Sequence, residues 1–391
     1  MSVNLAVLLL VGLFALLYAA LRALSAVASL PLEARRWRAQ QKERAMYGAL
    51  MDALAHQLAG RYIRATKSAQ NALTQENSLA RLANESGHVP GYSLQRANQL
   101  QSLANLLVAE SAQALQNKNL RDQHLHLAML SSAARQAQLM REGVQFRAAR
   151  WALDDRDAAA ALDALSQLPQ GAARRTLALR MKLRATRQLK QTRLALDAAR
   201  LLVKHRAFSA AAAQSIVRGL GLELLSEAHD PAQLEQAWAA LDANERAMPE
   251  LVVHAAARLM LLRGDAALAR SWLLSVWPQF LQGDAGISDS LRIKLITALE
   301  LGMDSVDAAW LARIEAAQIA QPQDANLQYL AGMACMSRHL WGKARQLLGR
   351  ATAGLQDPGL HRKAWRSLAE LAEQRGDADA ALHAYKQAAQ L

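Results

Sequence analysis

The pattern of apolar and polar positions divides the chain into two unequal parts. Residues 3–21 read VNLAVLLLVGLFALLYAAL and are almost entirely apolar. At a helical rise of ~1.5 Å per residue this run extends about 28 Å, roughly one hydrocarbon core. After Ala45 the apolar residues instead recur at helical spacing, interrupted by short breaks. The pattern therefore predicts one membrane-spanning helix followed by a long series of amphipathic helices.

Prolines and Gly-Asp pairs mark the predicted breaks between these helices. A proline in a helix interior removes one backbone hydrogen bond, so each proline is expected near a helix boundary. The eight prolines are Pro31, Pro90, Pro169, Pro231, Pro249, Pro278, Pro322 and Pro358. The pairs Gly264-Asp265 and Gly376-Asp377 each offer a C-cap residue followed by an N-cap residue. They predict tight turns between two helices.

Small residues recur at a regular period in the second half of the chain. Ala269, Ala309, Ala344 and Ala381 are spaced by 40, 35 and 37 residues, which is typical of tetratricopeptide repeats. Weaker units can be placed around Ala65, Ala161, Ala195 and Ala237. One helical hairpin cannot bury its apolar face alone, so neighbouring hairpins stack. The predicted fold is all-α: an N-terminal transmembrane helix followed by a tetratricopeptide-like α-solenoid of about eight or nine helical hairpins. The alternative is an irregular helical bundle.

The repeat pattern also predicts domain limits and packing residues. The predicted parts are a transmembrane anchor (1–24), a basic juxtamembrane segment (25–45), divergent repeats (46–250) and tetratricopeptide-like repeats (251–391). Small side chains let two helices approach, and larger ones four and seven positions away fill the remaining space. The predicted packing residues are Gly264, Ala269, Gly332, Ala344, Leu348, Trp365, Gly376, Ala381 and Tyr385.

A cleaved signal peptide is the alternative interpretation of the apolar run, since residues 26–28 read AVA. No Lys or Arg precedes the run, the run is longer than a usual signal-peptide core, and basic residues follow it closely. An uncleaved anchor is therefore favoured, and the positive-inside rule places the following segment in the cytoplasm. The residues predicted to contact anionic lipid headgroups are Arg35, Arg36, Trp37, Arg38, Lys42 and Arg44.

Positive charge is concentrated in a second zone of the chain. The formal net charge is +13, and residues 171–206 contain eleven Lys and Arg but a single acidic residue, Asp197. Within this zone Arg180, Arg184 and Arg187 lie at i, i+4 and i+7, on one face of a helix. They are candidate contacts for an anion or an acidic partner, although a solvated helix face is the simpler interpretation. No aromatic residues are interleaved with these charges, which argues against a nucleic-acid partner.

Motifs that would indicate catalysis or cofactor binding are not found. Residues 218–225 read RGLGLELL, with a GxG but no third glycine and no preceding strand, so they do not form a dinucleotide loop. His124 and His126 are two positions apart and point to different sides of a helix, unlike a metal-binding pair. Cys335 is the one cysteine, and a small core residue in a helix is its expected role. The sequence predicts a protein that is not an enzyme, with no metal and no bound cofactor.

Three stretches of the chain resemble the HemY family of bacterial inner-membrane tetratricopeptide proteins linked to protohaem biosynthesis. They are VNLAVLLLVGLFALLYAALRAL at the start, LEARRWRAQQKERAMYGALMDALAHQLAGRYIRATKSAQNAL within 25–134, and YLAGMACMSRHLWGKARQLLGRATA with LAELAEQRGDADAALHAY near the end. The resemblance implies a scaffold or regulator that binds haem-biosynthesis enzymes. It supplies no catalytic residues, and it does not extend to the flavin-dependent protoporphyrinogen oxidase of the same name. Family members usually begin with one more transmembrane helix, so either Met1 is a misassigned start or this is a natural short form.

Two other functions are compatible with the sequence. The first is a general assembly or chaperone-like module for inner-membrane or envelope complexes, because anchored repeat proteins of envelope assembly share this layout. The second is direct binding of haem or porphyrin, in which Arg180, Arg184 and Arg187 would pair with propionates and a histidine would ligate iron. No ligand spacing supports the second.

Overall fold

The computed structural model describes residues 3–86, 93–133, 137–282 and 287–391. These residues form α-helices joined by short turns, with a 3-10 turn at Met303–Ser305, and they include no β-strand. The all-α prediction is confirmed. The chain divides into two compact units, unit 1 (Met1–Leu189) and unit 2 (Lys190–Leu391). The change of repeat character predicted near residue 250 stays a prediction.

The helices are numbered in chain order within each unit. Unit 1 contains α1 (Val3–Leu58), α2 (Tyr62–Ser86), α3 (Leu94–Ala114), α4 (Lys118–Ser131), α5 (Gln138–Asp154), α6 (Ala158–Ser166), α7 (Gln170–Ala173) and α8 (Thr176–Gln188). Unit 2 contains α9 (Thr192–Lys204), α10 (Ala210–Ser226), α11 (Pro231–Ala239), α12 (Ala243–Arg246), α13 (Pro249–Leu261), α14 (Ala266–Leu273), α15 (Trp277–Leu281), α16 (Asp289–Leu301), α17 (Ala308–Ala320), α18 (Ala325–Ser337), α19 (Trp341–Ala351), α20 (Pro358–Gln374) and α21 (Ala378–Gln390).

Helix α1 is continuous through Pro31, so the predicted break at this proline is wrong. A proline inside a helix removes one backbone hydrogen bond and bends the helix without necessarily ending it. The residues on both sides of Pro31 are mostly Ala, Leu, Arg, Glu and Gln, which are strong helix formers. Because the summed helix propensity of these residues is high, the helix continues through the proline. As a result, the apolar run and the basic segment belong to one 56-residue helix.

Six of the remaining prolines lie at helix boundaries, as the sequence predicts. Pro231, Pro249 and Pro358 begin α11, α13 and α20, and Pro278 is the second residue of α15. At these positions the missing N–H costs nothing, because the first turn of a helix has no intrahelical acceptor. Pro169 precedes α7 and Pro322 lies between α17 and α18. Pro90 lies outside the described residues.

The turns between paired helices share one backbone conformation. A residue with positive φ follows the first helix. In seven of the eight such turns among the described residues, all but the one at Lys190, the next N–H donates to the carbonyl oxygen five residues earlier at 2.8–3.0 Å, as in Arg61 N to His56 O and Leu340 N to Cys335 O. This hydrogen bond closes the helix C-terminus. Among the described residues, the positive-φ positions are Gly60, Gln116, Arg156, Lys190, Arg206, Arg263, His339 and Gly376. Most of these positions carry no glycine.

The two Gly-Asp pairs therefore play different parts. Gly376 has a φ of +74°, and Asp377 accepts from the N–H of Ala380 as the N-cap of α21, as predicted. In the turn between α13 and α14, the residue with the left-handed backbone conformation is Arg263, with a φ of 59°, and not Gly264. A Cβ on Gly264 would lie 2.3 Å from Leu259 Cδ1, so this glycine provides space rather than a left-handed turn.

Substitutions at two left-handed positions are expected to change stability in opposite directions. Gly376→Ala should lower the free energy of unfolding by about 1 kcal/mol, because a Cβ is strained at positive φ. Gln116→Gly should raise it by roughly 0.5 kcal/mol, because Gln116 is exposed and already left-handed at a φ of 59°. Amide hydrogen exchange in α21 and α4 measures both effects. Changes of the same sign at the two positions would contradict this assignment.

Unit 2 stacks its hairpins in chain order. The first helices of four successive hairpins, α13, α16, α18 and α20, begin at residues 249, 289, 325 and 358, and each packs against the next. The spacings are close to the ~34 residues of a tetratricopeptide repeat. In α18 and α19 the two helices of one hairpin pack closely on each other. The predicted tetratricopeptide-like architecture is confirmed for this unit.

One position of the predicted repeat alignment is misplaced. Ala309 is exposed, and Trp310 next to it is buried against Trp277, with ring centroids 5.3 Å apart in an edge-to-face arrangement. At this place in α17 the buried residue is therefore a large aromatic side chain and not the predicted alanine.

Candidate functional site

The N-terminal half of α1 is apolar and is not packed against the rest of the protein. Residues Val7–Leu24 have a mean hydropathy of 2.4, and none of this stretch is buried against the rest of the protein. In the described part of the chain this is the one helix long and apolar enough to cross a membrane. Its large exposed side chains would face water without a bilayer, which is unfavourable.

The basic segment continues the same helix. Trp37 is 60% exposed, Arg38 and Arg44 are exposed, and Lys42 is half-buried. The side chains of Arg35 and Arg36 lie outside the described part. Arg44 and Trp37 are seven positions apart and so lie on one side of the helix. Their contact with lipid stays a prediction.

The C-terminal half of α1 is part of the core of unit 1. Its buried stripe begins at Ala39 and continues through Met46, Ala49, Leu50 and Ala53, all at helical spacing. This stripe packs against α2 and α3. From Leu24 to Ala39 the helix rises about 22 Å. A single continuous helix therefore joins the apolar span to the first packed helices, without a linker.

The predicted packing residues of unit 2 lie mostly at helix contacts. A Cβ on Gly332 of α18 would lie 2.7 Å from Leu348 Cγ of α19, so the glycine allows the close approach of these helices. The alanines Ala269, Ala344 and Ala381 and the side chain of Leu348 are buried. Burial of these small side chains brings the helix backbones close together.

The two aromatic packing residues of the last hairpin are less buried than the pattern suggests. Trp365 is half-buried on α20, with its indole N–H donating to His361 Nε2 at 3.1 Å and its ring 6.0 Å from that of His383. Tyr385 on α21 is 39% exposed. Burial, and then the nearby Glu373 carboxylate of α20, raise the pKa of the Tyr385 hydroxyl. Both residues therefore join α20 to α21 at the edge of the hairpin instead of filling its centre.

Arginine side chains, of which Arg270 is buried, Arg258 half-buried and Arg338 exposed, connect neighbouring repeats in unit 2, a feature that the sequence does not reveal. Arg270 is almost fully buried and donates to Ser305 O at 2.8 Å and to Gly302 O at 3.2 Å. Arg258 donates to Ala228 O at 2.8 Å, and Arg338 donates to Val306 O. These carbonyls lie at or just beyond the C-terminal ends of α10 and α16, where a cation also offsets the helix dipole. Part of the positive charge of the chain is thus structural.

The buried Arg292 adds a charged contact between α16 and the start of α18. Its guanidinium lies 2.6 Å from the Asp324 carboxylate and 5.3 Å from the ring centroid of Phe280. Arg292 and Asp324 are 32 residues apart, as are Arg270 and Gly302. This offset, close to one repeat, is the signal that could have identified such bridges from the sequence.

Unit 1 contains a buried arginine at a position that alanine occupies in other helices. The fourth residue after the N-cap is a buried alanine in α6, α9, α14, α19 and α21: Ala161, Ala195, Ala269, Ala344 and Ala381. In α4 this residue is Arg121, only 5% exposed. Its guanidinium contacts Asp155 at 2.8 Å and Gln113 at 2.7 Å, and lies 5.9 Å from the Trp151 ring. The arginine binds α3 and α4 to the end of α5.

The three candidate anion-binding arginines lie on the exposed side of α8. Arg180, Arg184 and Arg187 are all exposed, and Arg184 is 3.8 Å from the Asp154 carboxylate of α5. Elsewhere in the zone Arg175 pairs with Glu142 at 3.0 Å, and Arg200 pairs with Glu245 at 2.5 Å. Several charges of the second basic zone are therefore neutralised within their own unit. A role for the α8 arginines in binding a partner stays a prediction.

The first helices of the unit 2 hairpins carry polar contacts along their packed side. His254 of α13 hydrogen-bonds Ser226 of α10 at 2.9 Å, and Lys363 of α20 reaches Glu300 of α16 at 2.9 Å. Burial, and then the nearby Arg258 and Lys294, lower the pKa of His254. Among the described residues, no group of three His, Cys, Asp or Glu side chains is placed to hold a metal ion.

The lowered pKa of His254 gives the stability of unit 2 a defined pH dependence. The folded chain binds the proton less readily than the unfolded chain, so this contribution to stability is complete above the ordinary pKa of 6.5 and declines as the pH falls below it. The thermal midpoint should therefore drop between about pH 7.5 and pH 5.5, and His254→Gln should reduce that drop. His205→Gln, at an exposed histidine of unit 2, serves as control and should leave the drop unchanged.

The comparisons with known proteins identify the N-terminal part of the chain. A family model described as "HemY protein N-terminus" matches residues 1–85. No curated protein matches the chain. One similar solved structure is described as "Crystal structure of APC/C hetero-tetramer Cut9-Hcn1", with 16% identity and a TM-score of 0.31 over 87% of this chain and 65% of that chain. The chain thus spans less than two thirds of that structure's length. A TM-score this low carries no functional meaning.

Proposed function

We propose that this chain, whose residues 1–85 match the family model described as "HemY protein N-terminus", is a membrane-anchored, non-catalytic scaffold or regulator acting in a late step of protohaem biosynthesis. Its role is to bind pathway enzymes on its helical repeats. The observation that carries the proposal is α1, which holds an unburied apolar stretch at one end and core residues of unit 1 at the other. A protein so built presents helical repeats next to a membrane.

The proposed location is the bacterial inner membrane, with the repeats on the cytoplasmic side. The basis is the cluster of basic residues that follows the apolar stretch, since cytoplasmic flanks are enriched in Lys and Arg. Arg38, Lys42 and Arg44 would meet anionic headgroups, each contributing about 1 kcal/mol near the surface. Trp37, exposed on the same helix, would lie at the interface.

A gene-deletion strain tests the haem part of the proposal. Haem should fall and porphyrin intermediates should accumulate in the deletion strain, and the full chain should restore both. A chain without residues 1–24 should restore them poorly, because it lacks the apolar stretch. Unchanged haem and porphyrin levels in the deletion strain would refute a role in this pathway.

Affinity capture of the full chain in mild detergent tests what it binds. The proposal expects enzymes of late haem biosynthesis. Recovery of envelope or secretion factors alone would favour the general assembly or chaperone-like function. A titration of the purified chain with haem covers the third possibility: a shift of the Soret band would show that the chain binds haem itself.

Charge reversal of the basic segment tests the proposed orientation. Changing Arg35, Arg36 and Arg38 to Glu should move part of the C-terminal region to the opposite side of the membrane, because the positive-inside signal is lost. A reporter fused to the C-terminus measures the fraction on each side. The matched control changes Arg345 and Arg350 of α19, which are exposed in unit 2, to Glu. If the repeats of the first variant stay cytoplasmic and functional, the basic segment does not set orientation.

A further inference from the structure

A surface cleft of about 470 Å³ lies in unit 1 where the α1–α2 turn meets the end of α3. Gly60, Arg61, Tyr62, Ile63, Arg64 and Leu115 line it. The two elements are held together by a hydrogen bond from Ser111 Oγ of α3 to Gln57 Oε1 of α1 at 2.6 Å. Both elements that form the cleft are thus joined by a side-chain hydrogen bond within unit 1.

Large apolar side chains are exposed in and beside this cleft. Ile63 is 63% exposed and Leu115 is 45% exposed, and Leu58, two residues before Gly60, is 89% exposed. Single exposed leucines are common on protein surfaces, but apolar residues grouped at one concave place indicate a binding surface. Such a surface gains free energy when an apolar side chain of a partner covers it.

The charges around the cleft are of one sign. Arg61 and Arg64 are both exposed, and no acidic residue lines the cleft. Both arginines lie at the N-terminal end of α2, whose first turn has no acidic residue. Cations are unfavourable there, because the helix dipole already makes this end positive. The free chain therefore carries an electrostatic cost at the cleft that an anionic partner would remove.

We propose that this cleft binds an acidic segment of a partner protein that inserts at least one large apolar side chain. Carboxylates of the segment would pair with Arg61 and Arg64, and the apolar side chain would pack on Ile63 and Leu115. The inference rests on the proposed scaffold function and names a surface and a partner chemistry for it. The basic charge of the cleft favours an acidic partner segment. The exposed apolar side chains favour a segment that also carries a large apolar residue.

A lipid headgroup would also supply negative charge, but the position of the cleft disfavours it. From Leu24, the end of the apolar stretch, to Leu58, beside the cleft, α1 rises about 50 Å. The basic segment lies between them, much closer to the apolar stretch. Headgroups would thus meet the basic segment long before they reached the cleft.

A peptide titration tests the proposal on the full chain in nanodiscs of phosphatidylcholine. The probe is a short fluorescein-labelled peptide of Glu and Leu residues, and two matched peptides replace Glu with Gln or Leu with Ser. Fluorescence anisotropy should show binding of the Glu-Leu peptide and much weaker binding of the other two. The double variant Arg61→Glu/Arg64→Glu should bind at least about tenfold more weakly, and Ile63→Ser should also weaken binding.

Controls separate this proposal from its alternatives. Arg345→Glu/Arg350→Glu makes the same charge change in unit 2 and should bind like the wild type. Arg61→Gln/Arg64→Gln should give an intermediate loss of binding with a thermal midpoint no lower than that of the wild type, which excludes misfolding as the cause. Equal binding of wild type and Arg61→Glu/Arg64→Glu would overturn the proposal. So would displacement of the peptide by phosphatidylglycerol vesicles but not by phosphatidylcholine vesicles, since the occupant would then be a lipid.

The scaffold proposal and the cleft proposal can fail separately. Haem and porphyrin levels in the deletion strain decide the first. The titration with purified chain decides the second, whatever those levels are.

Discussion

Replacing Asp155 with Ala is expected to lower the free energy of opening of unit 1 by about 3 kcal/mol. Asp155 is the carboxylate that faces the buried Arg121 guanidinium at 2.8 Å, and it also binds Lys118 at 2.7 Å. Without it, Arg121 is left as a buried cation whose remaining acidic neighbour, Asp122, is largely exposed. A buried charge that loses its partner keeps the cost of desolvation without the compensating attraction.

Amide hydrogen exchange in α4 and α5 measures this opening locally, which matters because a chain with two units does not unfold in one step. Asp122→Ala is the matched control and should cost less than about 1 kcal/mol, because its carboxylate is exposed. The double variant Arg121→Leu/Asp155→Ala should regain part of the loss, since it removes the buried charge along with its partner. If the single and double variants are equally unstable, packing rather than charge explains the effect.

The same contact predicts a loss of stability in acid. Lys118, and then Arg121, hold the pKa of the Asp155 carboxyl below its ordinary value of 3.8. The stabilisation is complete above that ordinary value and disappears as the pH falls through the lower pKa of the folded state. The difference in the free energy of opening of unit 1 between the wild type and Asp155→Ala should therefore shrink as the pH falls below about 4.

Replacing Gly332 with Val is expected to lower the stability of unit 2 by about 3 kcal/mol. A Cβ at this position lies 2.7 Å from Leu348 Cγ and 3.3 Å from the Leu348 backbone N, so α18 and α19 must move apart. Separation of the two helices also loosens the buried contacts of Ala344 and Leu348. Hydrogen exchange of α18 amides or the thermal midpoint measures the loss.

The matched control is Gly349→Val, one residue after Leu348 on the same helix. No atom lies within 4 Å of a Cβ at Gly349, so this change should be neutral or slightly stabilising. A second test combines Gly332→Ala with Leu348→Ala, which should cost less than the sum of the two single changes, because the smaller side chain makes room for the new methyl group. Additive losses would mean that the two residues do not compete for space.

Much of the fold could be predicted because it depends on local pattern. The apolar stretch and the helical periodicity follow from residues a few positions apart, and the close approach at Gly332 follows from the recurrence of small residues within one predicted hairpin. The predicted helix break at Pro31 was wrong because the helix preference of the surrounding residues outweighs one lost hydrogen bond. The left-handed residue at Arg263 was missed because helix closure fixes its backbone conformation, whatever its side chain.

The charged interior could not be predicted for a different reason. Net charge does not say which cations are exposed, and Arg121 and Arg270 look like surface residues in a basic sequence. The contacts of Arg121 with Asp155 and of Arg270 with Gly302 span 34 and 32 residues, across helix contacts that exist only after folding. The cleft at Arg61 and Arg64 could not be predicted either, because Leu115, which also lines it, is distant in sequence.

The continuity of α1 couples two quantities that a flexible linker keeps independent. In the proposed arrangement, each residue inserted between Leu24 and Ala39 would raise the first repeat by ~1.5 Å and also rotate it by about 100° around the helix axis. Inserting seven residues would add about 10 Å and nearly restore the original direction, whereas two or five would raise the repeat less and turn it toward the opposite side. The height of the repeats above the bilayer and the direction in which they face are therefore set together, by the number of residues in one helix.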